Sequence, residues 1–290
     1  MQSSDKAKNL TQLNSSTMFW YWVNERHRIY LKRFKEGLPK PWTDDPILQD
    51  YKFTNVFRQL DTGTLWLTEN FLKPKRDSTL DLILFNICWY RMFNWTRTGE
   101  RLGWRKSWPV EEIIEVLTQA SKEGEKIFTG AHIIRGAVGE PKIDSIVDVC
   151  LNLFNDRQRL RKIARRSLSL EETFNALKVT RYVGSFMAYE MVSDMRHTRL
   201  LEDAHDINTW ANPGPGAMRG LYRIGLPSTE KDGVESMRVL LKEQDELREE
   251  HMPRLEMRDI EHSLCEFDKY ARVLFGEGKP RGSYDGRGQT

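Results

Sequence analysis

Asn55, Arg58 and Asp61 recur at every third position in YKFTNVFRQLD. On a helix, that spacing gathers an amide, a guanidinium and a carboxylate on one face. Phe53, Val56 and Phe57 between them face inward, so the setting is aromatic. Three polar groups in such a setting are costly unless they pair with one another or are used on a ligand. An Asn–Arg–Asp structural network and a working cluster are both compatible with the spacing. Upstream, Arg26 and Arg33 lie two helical turns apart on a shared face. Near the other end, MRDIEHSLCEFDKYARVLF puts Glu261, Cys265 and Asp268 on one side of a helix. Glu266, Lys269 and Tyr270 fall close beside them. Arginine forks hold oxyanions and carboxylates accept protons, and this set supplies both capacities.

Two glycine turns can hold a phosphate. In residues 180–206, TRYVGSFMAYEMVSDMRHTRLLEDAHD, a helix ends near Arg181 and the chain turns at Gly184. A second helix then runs from Ser185 towards Met195. Gly184 supplies the positive φ or close approach that such a turn needs. The helix after it points free N–H groups outward, at Gly184 and Ser185, where an anion can sit. An ordinary turn between helices, capped by glycine, is the alternative. Asn212-Pro-Gly214-Pro-Gly216 opens another helix in the same manner, with Arg219 in its first turn. A plain tight turn is again the alternative.

The elements that must position these residues are helices. Residues 17–36 form a first long helix, with Phe19, Trp22, Val23, Ile29, Tyr30 and Phe34 as its apolar stripe and Gly37 as its stop. A proline-rich loop follows, and Thr43 or Asp44 caps the next helix with Pro46 in its first turn. Residues 64–72 and 79–98 read as further helices, the second mostly apolar and central. Residues 99–108 form a loop rich in Arg and Trp, suited to stacking or to the core. Helices at 109–121 and 143–166 flank a connector, 127–140, with room for a short strand pair. The second of these ends in the basic run RQRLRKIARR. Ser169-Leu-Glu-Glu172 is a capping box for the helix that enters the Gly184 turn. Helices over 230–250 and 257–275 complete the chain. The expected organisation is a disordered arm at 1–16, a single helical domain at 17–275 with its hairpin at 172–195, and a flexible basic tail at 276–290.

Composition sets outer bounds. The chain has 290 residues, 30% charged and 39% hydrophobic, which suits a soluble globular protein. Its net charge of +3 does not by itself declare a nucleic-acid partner. The three cysteines, Cys88, Cys150 and Cys265, are far apart and suggest neither disulfides nor a zinc site. The polar N-terminus is no signal peptide and no apolar run suits a membrane, so an intracellular, cytoplasmic location is expected. Neither a Walker A loop nor an HExxH motif occurs.

The 180–206 stretch resembles the helix-hairpin-helix of DNA glycosylases, in which an acidic residue follows the hairpin glycine by about twenty positions. Asp203 and Asp206 stand there in this chain. More of the chain resembles one family. NERHRIYLKR, GLPKPWTDDPIL, YKFTNVFRQLD, VGSFMAYEMVSDM, NPGPGAMRGL and RDIEHSLCEFDKYARV occur in that order across residues 19–281. Together they resemble the alpha-glutamyl/putrescinyl thymine pyrophosphorylases, the phage amino acid:DNA transferases. The helical domain of hydroxymethyluracil DNA kinases is similar. The missing Walker A loop favours the stand-alone transferase.

That resemblance implies an all-α, glycosylase-like fold and a partner, double-stranded DNA containing a modified thymine. It implies displacement of a pyrophosphate from the thymine methyl by an amino acid or polyamine, on a base flipped from the helix. Arg26, Arg33, Arg58 and Arg219 are then candidates for the departing pyrophosphate, with Asn55 and Lys269 as further binding groups. Asp206, Asp194, Glu261 and Asp61 are candidates for the base that takes the amine proton. Cys265 is a candidate for transient addition to the pyrimidine, with a buried inert thiol as the alternative. Gly184, Ser185, Gly214 and Gly216 would contact DNA. No cofactor is expected beyond the amine co-substrate, no metal ligand is assigned, and a role for Mg2+ stays open. For a phage protein the location would be the host cytoplasm. A monofunctional glycosylase using Asp206, with Phe186 where lysine-dependent members carry their nucleophile, is the second reading. A non-catalytic DNA-binding module is the third.

Overall fold

A computed structural model describes residues 15–131 and 133–279. In chain order its helices are α1 (Ser15–Tyr30), α2 (Pro46–Asp50), α3 (Thr62–Leu67), α4 (Leu80–Phe93), α5 (Thr96–Leu102) and α6 (Val110–Lys122). They continue as α7 (Lys142–Ser167), α8 (Leu170–Lys178), α9 (Gly184–Met195), α10 (Pro215–Arg223), α11 (Gly233–Leu247) and α12 (Met257–Leu274). Among the described residues there is no β-strand, so the all-α expectation holds, while the strand pair suggested for 127–140 is absent there. No described helix is long and apolar enough to cross a membrane. Of the expected arm, Ser15 and Ser16 already belong to α1 and residues 1–14 lie outside the described residues. Residues 280–290 of the expected tail lie outside them too.

The chain divides into two compact units, Met1–Asp61 with Ile207–Thr290, and Thr62–Asp206. In the first, α12 packs on α1, α2, α10 and α11. Phe19 and Trp22 of α1 and Phe267 and Tyr270 of α12 are fully buried. Their rings meet edge to face, Phe19 on Phe267 at 5.7 Å and Phe53 on both Trp22 and Tyr270 at 6.2 and 6.3 Å. Asp45, not Thr43 or Asp44, caps α2: its Oδ1 accepts from the amides of Ile47 and Leu48, and its Oδ2 from the hydroxyls of Tyr21 and Tyr270. Thr43 instead accepts from the Asp45 amide. Helix α10 lies so close to α12 that a methyl on Gly220 would enter the Leu264 carbonyl.

In the second unit α4 is buried on nearly every side, as its all-round apolar sequence requires. It packs on α7 and α9. The helix expected over 79–98 breaks at Asn94, which takes a left-handed φ of 47°. The chain then turns at Trp95 and α5 occupies the first part of the expected Arg/Trp loop. Trp108 is a core residue, its Nε1 donating to the Val147 carbonyl at 2.9 Å.

Two local departures shape the first unit. The last turn of α1 widens into a π-helical turn, Leu31–Lys35. The extra residue per turn swings Phe34 out of the expected apolar stripe, and it is 55% exposed. Residues 51–57 are not helical; only Arg58–Leu60 form a short 3-10 turn. Asn55, Arg58 and Asp61 therefore do not share a helical face.

Candidate functional site

The π-turn and the proline-rich loop enclose a cavity of about 490 Å³ in the first unit. Arg26, Arg33, Lys40, Trp42, Tyr51 and Phe53 line it. The Arg33 guanidinium lies 4.5 Å from the Phe34 ring centre and 5.2 Å from that of Trp42, and Lys40 Nζ lies 5.5 Å from Trp42. Three cations among flat rings suit a ligand that is both planar and anionic.

Arg26 joins this cavity to the polar cluster. Its Nη2 donates to Asn55 Oδ1 at 2.8 Å and to the Phe53 carbonyl at 3.2 Å. Asn55 Nδ2 donates to the Leu60 carbonyl at 2.8 Å, and the Asn55 amide donates to Asp61 Oδ1 at 3.2 Å. The loop thus brings Asn55 and Asp61 together without the expected helix. Helix α12 closes the other side with His262, Glu266 and Lys269, one face at spacings of four and three. His262 Nε2 lies 2.7 Å from the Thr54 hydroxyl and 3.5 Å from Asp61 Oδ2. Glu266 accepts from the Thr54 amide at 3.0 Å and pairs with Lys269 at 2.6 Å. The Arg58 amide donates to Asp259 at 3.3 Å.

The electrostatics of the cluster are uneven. Burial pushes the Asp61 carboxyl up to about 6, opposed by the nearby Arg58 charge. Burial, then the Arg58 and Lys269 charges, hold His262 well below the ordinary histidine value, so it is neutral at neutral pH. Asp61 is therefore a carboxylate poised to exchange a proton near neutral pH, beside arginines and a neutral imidazole. Sequence reading passed over His262. The signal for it was its place on the Glu266–Lys269 face of the last helix.

The other candidates fall elsewhere. Asp206 is only 5% exposed. It accepts from the Ser169 hydroxyl at 2.7 Å and from the amides of Leu170 and Glu171 at 2.8 and 3.0 Å. It braces the start of α8. Asp194 is 1% exposed and gives both oxygens to Arg91, one bond being 2.7 Å. Burial opposes the Arg91 charge, and the Asp194 carboxylate more than restores it. Both carboxylates belong to the second unit, whereas the Asn55–Asp61 cluster lies in the first. Glu261 accepts from the Gly214 amide at 3.3 Å. Cys265 presses on Gly216, where no methyl would fit against its sulfur. Burial pushes its thiol up to about 12, which suits packing over nucleophilic addition. Gly216 is thus a packing glycine. Arg219 points to Asp268, at 2.9 Å. Gly184 does take a positive φ, 63°, at the head of α9, and Ser185 beside it is exposed. The turn between α8 and α9 spans residues 179–183.

Residues 14–280 match the family described as the 5-hmdU DNA kinase, helical domain. The chain is 27% identical over 286 residues to a curated 5-hmdU DNA kinase of Bacillus phage SP10. That match covers 86% of this chain and 44% of the phage protein, so the chain spans less than half the length of that relative. No solved structure matches it.

Proposed function

The chain belongs to the family of 5-hmdU DNA kinase helical domains, and from that premise we propose that it is a transferase acting on a hypermodified thymine in DNA. Its substrate in this reading is 5-(pyrophosphoryloxymethyl)uracil within duplex DNA, and its co-substrate is an amino acid or a polyamine. The observation that carries the reading is Arg26, one guanidinium that both lines the cationic, aromatic cavity and fixes the Asn55–Asp61 cluster. Arg33 and Lys40 would hold the pyrophosphate, and Trp42 and Tyr51 would stack on the base. The amine nitrogen attacks the methylene carbon. The carbon–oxygen bond to pyrophosphate breaks, and its electron pair leaves on the pyrophosphate oxygen beside the arginines. Asp61 takes the proton released from nitrogen, with His262 and Asn55 fixing its carboxylate. The turn between α8 and α9, which resembles a glycosylase hairpin, would be a further place for phosphate contacts on DNA.

Incubation with DNA carrying the pyrophosphorylated base and a mixture of amines, followed by digestion and mass spectrometry of the nucleosides, tests it. An amine-bearing thymidine and released pyrophosphate are expected. Abasic sites would instead make the protein a glycosylase, a phosphate added to hydroxymethyl-dU with ATP would make it a kinase, and unchanged DNA would leave a binding module.

A further inference from the structure

Three arginines meet at one buried carboxylate in the first unit. Asp268 of α12 is 0% exposed. Arg219 Nε lies 2.9 Å from its Oδ2, Arg223 Nε 2.7 Å from its Oδ1, and Arg272 Nε 3.6 Å from its Oδ2. One arginine would neutralise Asp268; three leave excess positive charge. Glu277 offsets Arg223, at 2.6 Å. Asp268 and Glu277 together offset two of the three charges, and the remaining one is shared by Arg219 and Arg272, whose side chains are 56% and 35% exposed. Arg219 Nε donates to Asp268, which fixes that guanidinium while leaving its other donors for a second anion; Arg272 is held beside the same carboxylate by charge alone.

Aromatic surface accompanies both cations. Tyr222, three residues after Arg219, is 76% exposed, and Phe275, three residues after Arg272, is 45% exposed. An arginine and an exposed ring thus stand three residues apart on α10 and at the C-terminal end of α12, and the two helices pack together. A free phosphate has no use for the rings, and an apolar partner has none for the guanidiniums. A strand of nucleic acid needs both, phosphates on the cations and bases or sugars on the rings.

We propose that Arg219, Tyr222, Arg272 and Phe275 form a docking surface for a DNA strand, with Asp268 as the positioning residue that holds the two arginines. The surface is separate from the cavity at Arg26 and makes no claim on the chemistry there. It rests on the reading that the chain acts on DNA, and the test keeps the two apart.

Fluorescence anisotropy of the full chain with labelled, unmodified DNA, over a salt series, is the measurement. The wild type is expected to bind, with log K falling linearly in log salt. Arg219→Ala and Arg272→Ala should each weaken binding and lower that slope by about one. Tyr222→Ala should weaken it by about fivefold or more with the slope unchanged, because stacking releases no counterions. Arg219 and Tyr222 are mostly exposed, so those variants keep the test open if Arg272→Ala fails to fold. Wild-type affinity and slope in Arg219→Ala and Tyr222→Ala, with the parent protein binding DNA, would overturn the surface alone. A loss confined to competition by free inorganic pyrophosphate, at unchanged DNA affinity, would overturn the strand as its occupant. A wild type that binds no DNA at any salt would remove the DNA reading itself.

Discussion

Asp61 and Asp206 are both carboxylates near the ends of ordered segments, and their surroundings give them opposite expectations. The Asp61 side chain is 22% exposed and its carboxyl is raised from an ordinary 3.8 to about 6. Asp61→Asn should keep the hydrogen bond from the Asn55 amide yet accept no proton. The expected loss of turnover is about 10²–10⁴-fold, the usual worth of a general base. Wild-type kcat/KM should rise with pH through about 6 as Asp61 ionises. The sign for stability runs the other way. A raised carboxyl favours the folded state at low pH, and that contribution is lost as pH rises through about 6. Asp61→Asn should therefore unfold at no lower a temperature than wild type at pH 8. A variant that keeps near-normal turnover would remove Asp61 from the chemistry. Asp206→Asn should instead lower the unfolding temperature, because one amide oxygen cannot replace two carboxylate oxygens that accept from Ser169, Leu170 and Glu171. A cap of this kind is worth about 1 kcal/mol, and turnover per folded molecule should stay near wild type. Its position some twenty residues past Gly184 was legible in the sequence. Its three donors were not, since they come from the start of α8, more than thirty residues earlier.

Helices were legible where an apolar stripe or a strong cap spoke for them, as in α4, α7, α12 and the Ser169-capped α8. They were misread where polar spacing stood in for such a stripe. Residues 51–57 have helical spacing of Asn55 and Arg58, but their backbone polar groups are taken by side chains, Glu266 on the Thr54 amide and Asp61 on the Asn55 amide. The same side chains that compete with helix build the cluster, so the spacing pointed to residues that the loop, not a helix, brings together. The π-turn that carries Arg33 and Phe34 to the cavity likewise leaves no mark in a period of 3.6. Close approach of α10 to α12 was also hidden, since Gly220 reads as an ordinary helical glycine. Gly220→Ala should force α10 off the Leu264 carbonyl, at a cost of about 1–3 kcal/mol despite alanine's better helix propensity. Thermal unfolding of the variant measures it. Unchanged or higher stability would mean that the two helices separate freely.

A formal charge of +3 over 290 residues gives no strong global attraction to DNA, so the proposed binding requires local concentration of charge. Each compact unit carries such a place. In the second, Lys162, Arg165 and Arg166 of α7 are exposed, as is Arg181 in the turn before α9. In the first, Arg219 and Arg272 stand out from Asp268. Not every base in RQRLRKIARR is spare: Arg157 pairs with Asp81 at 3.1 Å, and Arg159 with Asp156. Charge counted along the sequence overstates the patch, and only the structure separates the paired arginines from the outward ones. The expectation for the whole protein is contact with DNA through phosphates, indifferent to base order and steeply weakened by salt. Arg165→Glu with Arg166→Glu replaces two exposed cations with anions, and also removes the hydrogen bond from Arg165 Nη1 to the Arg199 carbonyl, so thermal unfolding of the variant is measured alongside. Affinity for unmodified duplexes of scrambled sequence should fall by a similar factor for each duplex, and the salt slope should drop by about two. Arg157→Gln should leave the slope alone and lower stability, because it removes a partner of Asp81. A double α7 variant with the wild-type slope would mean that the basic half of α7 is a solvated surface and that DNA is held elsewhere.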